Sequence, residues 1–234
     1  SLAFIAIGVL SVVGNVDDNE VKRLAEKWFG DIPDRKGYVR DLQKEDKQSE
    51  ERTIEVEKDV PADSLYMSFH MAKKGSDSYY STDLISDVLS RGGSSRFNQE
   101  LIKTQKVFGN IDAYVSGSID PGMFIISGTL LPGIKMEAAE SAVWHELEKV
   151  TSELIQSREL QKLKNKIEST TVFEEIGGLN KAMNLAQFEL LGDANGINTE
   201  VEKYNRVTAE DIKKAAKTVF RRENSSTLRY YAKK

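Results

Sequence analysis

The chain has 234 residues, two histidines, His70 and His145, and no cysteine. Disulfides and thiolate metal sites are therefore excluded, and metal chemistry would need imidazole and carboxylate ligands. His145-Glu146-Leu147-Glu148-Lys149 comes within one residue of two hydrolytic metal motifs, HExxH and HxxEH. In either motif, two histidines a helical turn apart grip a zinc ion from one face while a glutamate activates water. Here the second histidine position holds Lys149, a cation that would repel the metal. His145 is expected on a helix surface beside Trp144. His70 stands between Phe69 and Met71 in a strand-like run, which sends it to the face opposite them. It reads as a solvated or hydrogen-bonded histidine.

Arg96 follows Gly92-Gly93-Ser94-Ser95. It could face a chamber and hold a substrate carboxylate or carbonyl, or it could bond the carbonyls of that turn. The loop does not read as a phosphate cradle, because GxxxxGK[ST] is missing and the preceding element is a helix. Arg158, Lys162, Lys164 and Lys166 interleave with Glu153, Glu159 and Glu168. At helical spacing this predicts a salt-bridged outer face. Aromatics do not alternate with bases, so a nucleic-acid groove is not indicated.

Apolar residues make up 39% and charged residues 30%, as in ordinary globular proteins. The balance of 33 basic and 37 acidic residues, net −4, gives no electrostatic reason to expect nucleic acid. Ser1 to Val16 is uncharged and mostly apolar. No basic segment precedes it, and it is shorter than the roughly 20 residues needed to span a bilayer. Gly8 to Gly14 is therefore expected as a buried strand. A chain opening on a core strand reads as part of a longer one.

Behind that strand, Val16-Asp17-Asp18-Asn19 should cap a helix over residues 20–29, with Val21, Leu24, Ala25, Trp28 and Phe29 on one face. Residues 34–52 are rich in Lys, Arg, Asp, Glu and Gln and read as a solvated linker. Strands are expected at Thr53–Glu57 and Leu65–Met71. A helix carrying Leu84, Ile85, Val88 and Leu89 follows and is stopped by Gly92-Gly93. Ser94 or Ser95 should cap the next short helix. Tyr114–Gly117 and Met123–Gly128 are predicted strands around the turn Asp120-Pro121-Gly122. Helices are expected near 135–155, 157–176, 178–192 and 208–220, with a short one around 197–205. Thr208 and Asp211 form a capping-box-like start, and Ser226–Ala232 is a final strand. Strands first and helices later imply an α+β fold, a mostly antiparallel sheet packed against a layer of helices.

Taken together, these motifs resemble a known family. Tyr79-Tyr80, the Ser-Ser-Arg-Phe run at 94–97, Asp-Pro-Gly-Met-Phe at 120–124 and ELQKLKNKIEST at 159–170 keep the order and spacing seen in the second half of bacterial pitrilysin/insulinase zinc metallopeptidases. The resemblance covers about residues 9–232. It implies three parts: residues 1–33 closing a preceding, metal-bearing half, 34–52 a linker, and 53–234 the C-terminal half-domain. It further implies zinc held by HxxEH and a distal glutamate in the first half, no metal or other cofactor in this segment, and a clamshell closing over a peptide. The zinc-bearing half would lie in the same chain or in a partner subunit. In Gram-negative relatives such enzymes are often exported, which implies a periplasmic location.

Many relatives contribute an arginine and a tyrosine seven residues apart from this half. Aligning on Leu101 places Ile102 and Gly109 there, so the resemblance implies no catalytic residue in this chain. Arg96 and Tyr114 are the substrate-chamber candidates, although Tyr114 also reads as an ordinary strand tyrosine. The alternative function is a structural or assembly subunit with the same fold and no peptidase role. A third reading is an independent ligand-binding domain.

Overall fold

The structure is a computed structural model that describes residues 8–32, 43, 45–117 and 119–233. Five strands form one sheet: β1 (Arg52–Lys58), β2 (Ser64–Met71), β3 (Phe108–Ser116), β4 (Gly122–Leu130) and β5 (Ser225–Ala232). The helices are α1 (Asp18–Phe29), α2 (Asp77–Ser90), α3 (Met136–Ser152), α4 (Ser157–Ile176), α5 (Gly178–Leu190), α6 (Gly196–Arg206) and α7 (Ala209–Val219). A π-helix spans Phe97–Thr104. The strand order is β1-β5-β2-β4-β3, antiparallel except for the parallel pair β1 and β5. The expected α+β class and mostly antiparallel sheet are found.

The chain forms two compact units. One comprises Lys47–Glu168 and Val201–Lys234 and contains the whole sheet; the other comprises Ser1–Asp46 and Ser169–Glu200.

In the sheet-bearing unit the core follows from strand alternation. Leu65, Met67, Phe69 and Met71 of β2 are buried, as are Phe124, Ile126 and Leu130 of β4 and Phe108, Ile111 and Ala113 of β3. The helices α2, α3 and α7 supply Leu84, Ile85, Leu89, Val143, Leu147, Ile212 and Ala216 to the same core. Phe69 meets Trp144 edge-on at 5.6 Å and Phe220 at 5.2 Å, and Phe220 meets Phe124 at 5.0 Å. Edge-to-face contacts place the positive ring edge on a negative face, which adds to the burial itself. The turn before β4 requires glycine, because a Cβ on Gly122 would come within 2.1 Å of the Ser116 carbonyl oxygen.

The capping box at α7 is formed: Thr208 Oγ1 accepts from the Asp211 N–H at 3.1 Å, and Asp211 accepts from the Thr208 N–H at 3.0 Å. Gly92 ends α2 with a φ of 93°. Neither Ser94 nor Ser95 caps the following helix. Its N-cap is Arg96, without a side-chain bond, while Ser94 Oγ accepts from Lys162 and Ser95 Oγ is buried without a partner.

Residues 8–14 form no strand, and Val9, Leu10 and Val12 are exposed. Among the described residues no strand pairs with them, and an extended segment stays in a sheet only when a neighbour takes its N–H and C=O groups. The predicted linker 34–52 lies partly outside the described residues. Gln48 within it is buried and donates to the Ser225 carbonyl at 2.7 Å, so that end is tied to β5.

Truncating Phe69 to alanine should lower the unfolding free energy by about 3–5 kcal/mol. Tyr66→Ala, on the opposite face of the same strand, should cost less than about 1 kcal/mol. Urea unfolding monitored by tryptophan fluorescence measures both.

Candidate functional site

Within the sheet-bearing unit, α2, α3 and α7 pack on one face of the sheet, and the side chains on the other face are more exposed. Tyr66 on β2, Tyr114 on β3 and Met123 on β4 are exposed there, with Ile125 half-buried between them. Register explains the grouping: Tyr114 pairs with Ile125, and Met123 with both Ser116 and His70. Strand alternation therefore puts Tyr114 on this face, at the sheet edge formed by β3. An edge strand offers unpaired backbone groups to an incoming strand. The Ala113 carbonyl is already engaged, accepting from Ser90 Oγ at 2.9 Å.

Arg96 is held elsewhere. Its guanidinium pairs with Glu159 of α4 at 3.2 Å. The Gly93 carbonyl in the preceding turn accepts instead from Gln99 and Lys103. Among the described residues no hydrogen bond or ion pair joins Arg96 to Tyr114. The basic residues of α4 also differ from the expected outer face. Lys162 donates to Ser94 Oγ, and Lys164 to the Asn205 carbonyl at 2.8 Å. They reach across to other elements, and burial lowers the Lys164 pKa from the ordinary lysine value.

His145 is exposed on α3, beside the buried Trp144. The motif's substitute cation is engaged: Lys149 donates to Glu146 at 2.7 Å, and Glu146 is buried. The glutamate that would activate water thus neutralises a lysine. His70 is half-buried on β2, and its carbonyl accepts from Asn224 Nδ2 at 3.0 Å. Among the described residues no three His, Cys, Asp or Glu side chains gather where they could hold a metal ion.

At the arginine and tyrosine positions implied by the resemblance, Ile102 packs on the core and Gly109 lies in β3. A Cβ on Gly109 would meet only ordinary contacts, at 3.7 Å from Leu131 and 3.8 Å from the Thr129 carbonyl oxygen. Sterics therefore do not demand the glycine.

Sequence reasoning missed a cavity of about 850 Å³ between β2, α2 and α7. His70 lies on its wall, with Lys203, Arg206, Lys214 and Arg221 around it. The Lys203 ammonium sits 5.6 Å from the centre of the Tyr80 ring. Arg206 and Arg221 are paired with Glu202 and Glu223. Lys203 and Arg206 share α6, but Lys214 on α7 and Arg221 beyond it come from other elements with no motif spacing, so nothing in the sequence drew the four together.

Two carboxylates of α2 are withdrawn from water, Asp87 buried and Asp83 half-buried. Asp83 accepts from the Tyr204 hydroxyl at 2.5 Å, and Asp87 pairs with Arg91 at 3.1 Å. Burial pushes both carboxyls above the ordinary aspartate value, against the pull of Tyr204 on one and Arg91 on the other. A raised pKa means that the folded state keeps its proton to higher pH than the unfolded state. The stability contribution is full below the ordinary value of 3.8 and is lost as pH rises through the folded value. Asp83→Asn should therefore flatten the fall in stability between that value and neutrality. Thermal melts across this window check it, and an unchanged slope would count against the shift.

The chain matches the family described as the peptidase M16 inactive domain over residues 8–167. It is 24% identical over 221 residues to the uncharacterized zinc protease YmxG of Bacillus subtilis, covering 94% of this chain and 53% of that protein. It is 23% identical over 223 residues to zinc protease PqqE of Helicobacter pylori, covering 94% and 50%. The chain thus spans about half the length of the curated relatives it matches. Among solved structures, a protease from Helicobacter pylori superposes with a TM-score of 0.86 at 22% identity, over 93% of this chain and 54% of that one. A peptidase M16 inactive domain from Pseudomonas fluorescens superposes with a TM-score of 0.80 at 12% identity, over 94% and 52%. Identities this low establish a shared fold. The family match covers more than half of the sequence, and the chain belongs to the peptidase M16 inactive-domain family.

Proposed function

We propose that this chain is the non-catalytic half of a zinc-dependent metalloendopeptidase, enclosing a peptide against a zinc-bearing half of the same fold. The observation that carries the reading is the one-sided sheet. Its open face presents Tyr66, Tyr114 and Met123 beside the edge strand β3. An extended peptide can add to such an edge through main-chain hydrogen bonds while apolar side chains receive alternate residues. Arg96 would have to leave Glu159 to take a substrate carboxylate, so Tyr114 carries the assignment. Catalysis would come from the partner half, because Ile102 and Gly109 can donate no side-chain hydrogen bond to a developing oxyanion. Both curated relatives are named zinc proteases, which supports this reading over a scaffold of the same fold.

The isolated chain should bind no stoichiometric zinc and cleave no unfolded peptide. Added to its zinc-bearing half, it should restore cleavage, and Tyr114→Ala should raise KM more than it lowers kcat. Metal analysis and a quenched-fluorescence peptide assay measure these outcomes. One tightly bound zinc per chain, lost in His145→Ala, would overturn the reading.

A further inference from the structure

The cavity between β2, α2 and α7 has no part in the peptide-binding reading, and every residue lining it belongs to the sheet-bearing unit. Its lining is of two kinds. Met71, Val207, Ala215 and Val219 are apolar and buried. Lys47, Lys203, Arg206, Lys214 and Arg221 bring cations from four separate stretches of chain, against two carboxylates, Asp77 and Asp211. Like charges gathered at one place repel one another. In a chain of net charge −4, no general excess of base forces such a cluster. It lowers its energy by taking up an anion.

The ion pairs already formed sort these cations. Arg206 is paired with Glu202 at 3.2 Å, and Arg221 with Glu223 at 3.0 Å. Asp211 is engaged in the cap of α7, where it accepts from the Thr208 N–H and hydroxyl, and Lys214 adds an electrostatic pull on it. Among the described residues no ion pair joins Lys47, Lys203 or Lys214 to a carboxylate. Lys203 lies over the Tyr80 ring instead, which holds its ammonium at the cavity without a carboxylate. Arginine's planar fork matches a carboxylate, whereas lysine is a point charge with three donors. With both arginines occupied, the cavity offers ammonium groups. These suit a phosphate, whose terminal oxygens take donors from several directions and whose charge exceeds one at neutral pH. A phosphate ion alone would leave most of the cavity unfilled, since about 850 Å³ is in the range that holds a whole small molecule. The apolar lining calls for an organic body. We propose that this cavity binds a small organic phosphate, with the phosphate on Lys47, Lys203 and Lys214 and the organic body against Met71, Val207 and Val219.

The probe is phenyl phosphate, compared with benzoate, which shares its ring, and with inorganic phosphate, which shares its anion. Titrations of the chain at constant ionic strength are followed by amide NMR and thermal melts. Phenyl phosphate should saturate with a Kd below about 1 mM, shift the amides of Val207 and Ala215, and raise the melting temperature. Benzoate and inorganic phosphate should each bind at least about tenfold more weakly. Lys203→Gln/Lys214→Gln should weaken phenyl phosphate binding by at least about tenfold. Lys58→Gln/Lys217→Gln removes the same charge at exposed positions outside the cavity and should bind as wild type does. Circular dichroism checks that both variants fold. Lys47→Gln, at an exposed position, should weaken binding about threefold and keeps the site testable if the first variant does not fold. No saturation with wild type would overturn the proposal, as would equal losses in the two double variants. Benzoate binding as tightly as phenyl phosphate would assign a carboxylate instead, and inorganic phosphate binding as tightly would leave the organic body without a role; either result overturns it. The zinc-bearing half enters none of these measurements, so the function proposed above stands or falls separately.

Discussion

Everything in the sheet-bearing unit depends on one constraint: the helices cover a single face of the sheet. Phe69, Phe124, Phe220 and Trp144 interlock edge to face beneath α2, α3 and α7, and they fix which side chains of β2 and β4 point inward. A strand's side chains alternate, so fixing the inner set also fixes the outer set. Tyr66, Tyr114 and Met123 lie on the open face because Met67, Ala113 and Phe124 lie on the closed one. The core thereby determines which residues the open face presents.

Polar groups secure the same arrangement at its margins. Arg229 on β5 donates to Glu140 on α3 at 2.8 Å and to Glu55 on β1 at 2.9 Å, joining the parallel edge strand to the helical layer. Its two carboxylate partners, Glu55 first, hold the guanidinium pKa above the ordinary arginine value. Asn224 bridges the carbonyls of His70 and Val219, locking the end of β2 to the end of α7. Such bonds add modestly to stability, but leaving Glu140 buried and unpaired would be costly. Their main effect is to fix one register.

The near-motif on α3 shows how one substitution changes what a helix face can do. The near-motif at His145 has been turned into a structural ion pair, since Lys149 occupies the place of a second metal ligand and takes up Glu146.

Local patterns made much of the fold legible. The 3.6-residue spacing located α3 to α7, alternation located β2 and β4, and Thr208 with Asp211 marked the start of α7. The family was legible too, because Ser-Ser-Arg-Phe and Asp-Pro-Gly-Met-Phe are short turn-and-strand motifs with fixed separations. Other features depended on partners distant in the chain. Gly8 to Gly14 had a strand's composition, but among the described residues no strand lies beside it. Arg96 found its carboxylate 63 residues away. Periodicity reports what one segment can bury, and it is written in the sequence by itself. Whether anything arrives to be buried against that segment is decided by tertiary structure, because pairing and covering need a second surface. Tyr114 therefore became an exposed edge residue, and cations of α6 and α7 came to line one cavity.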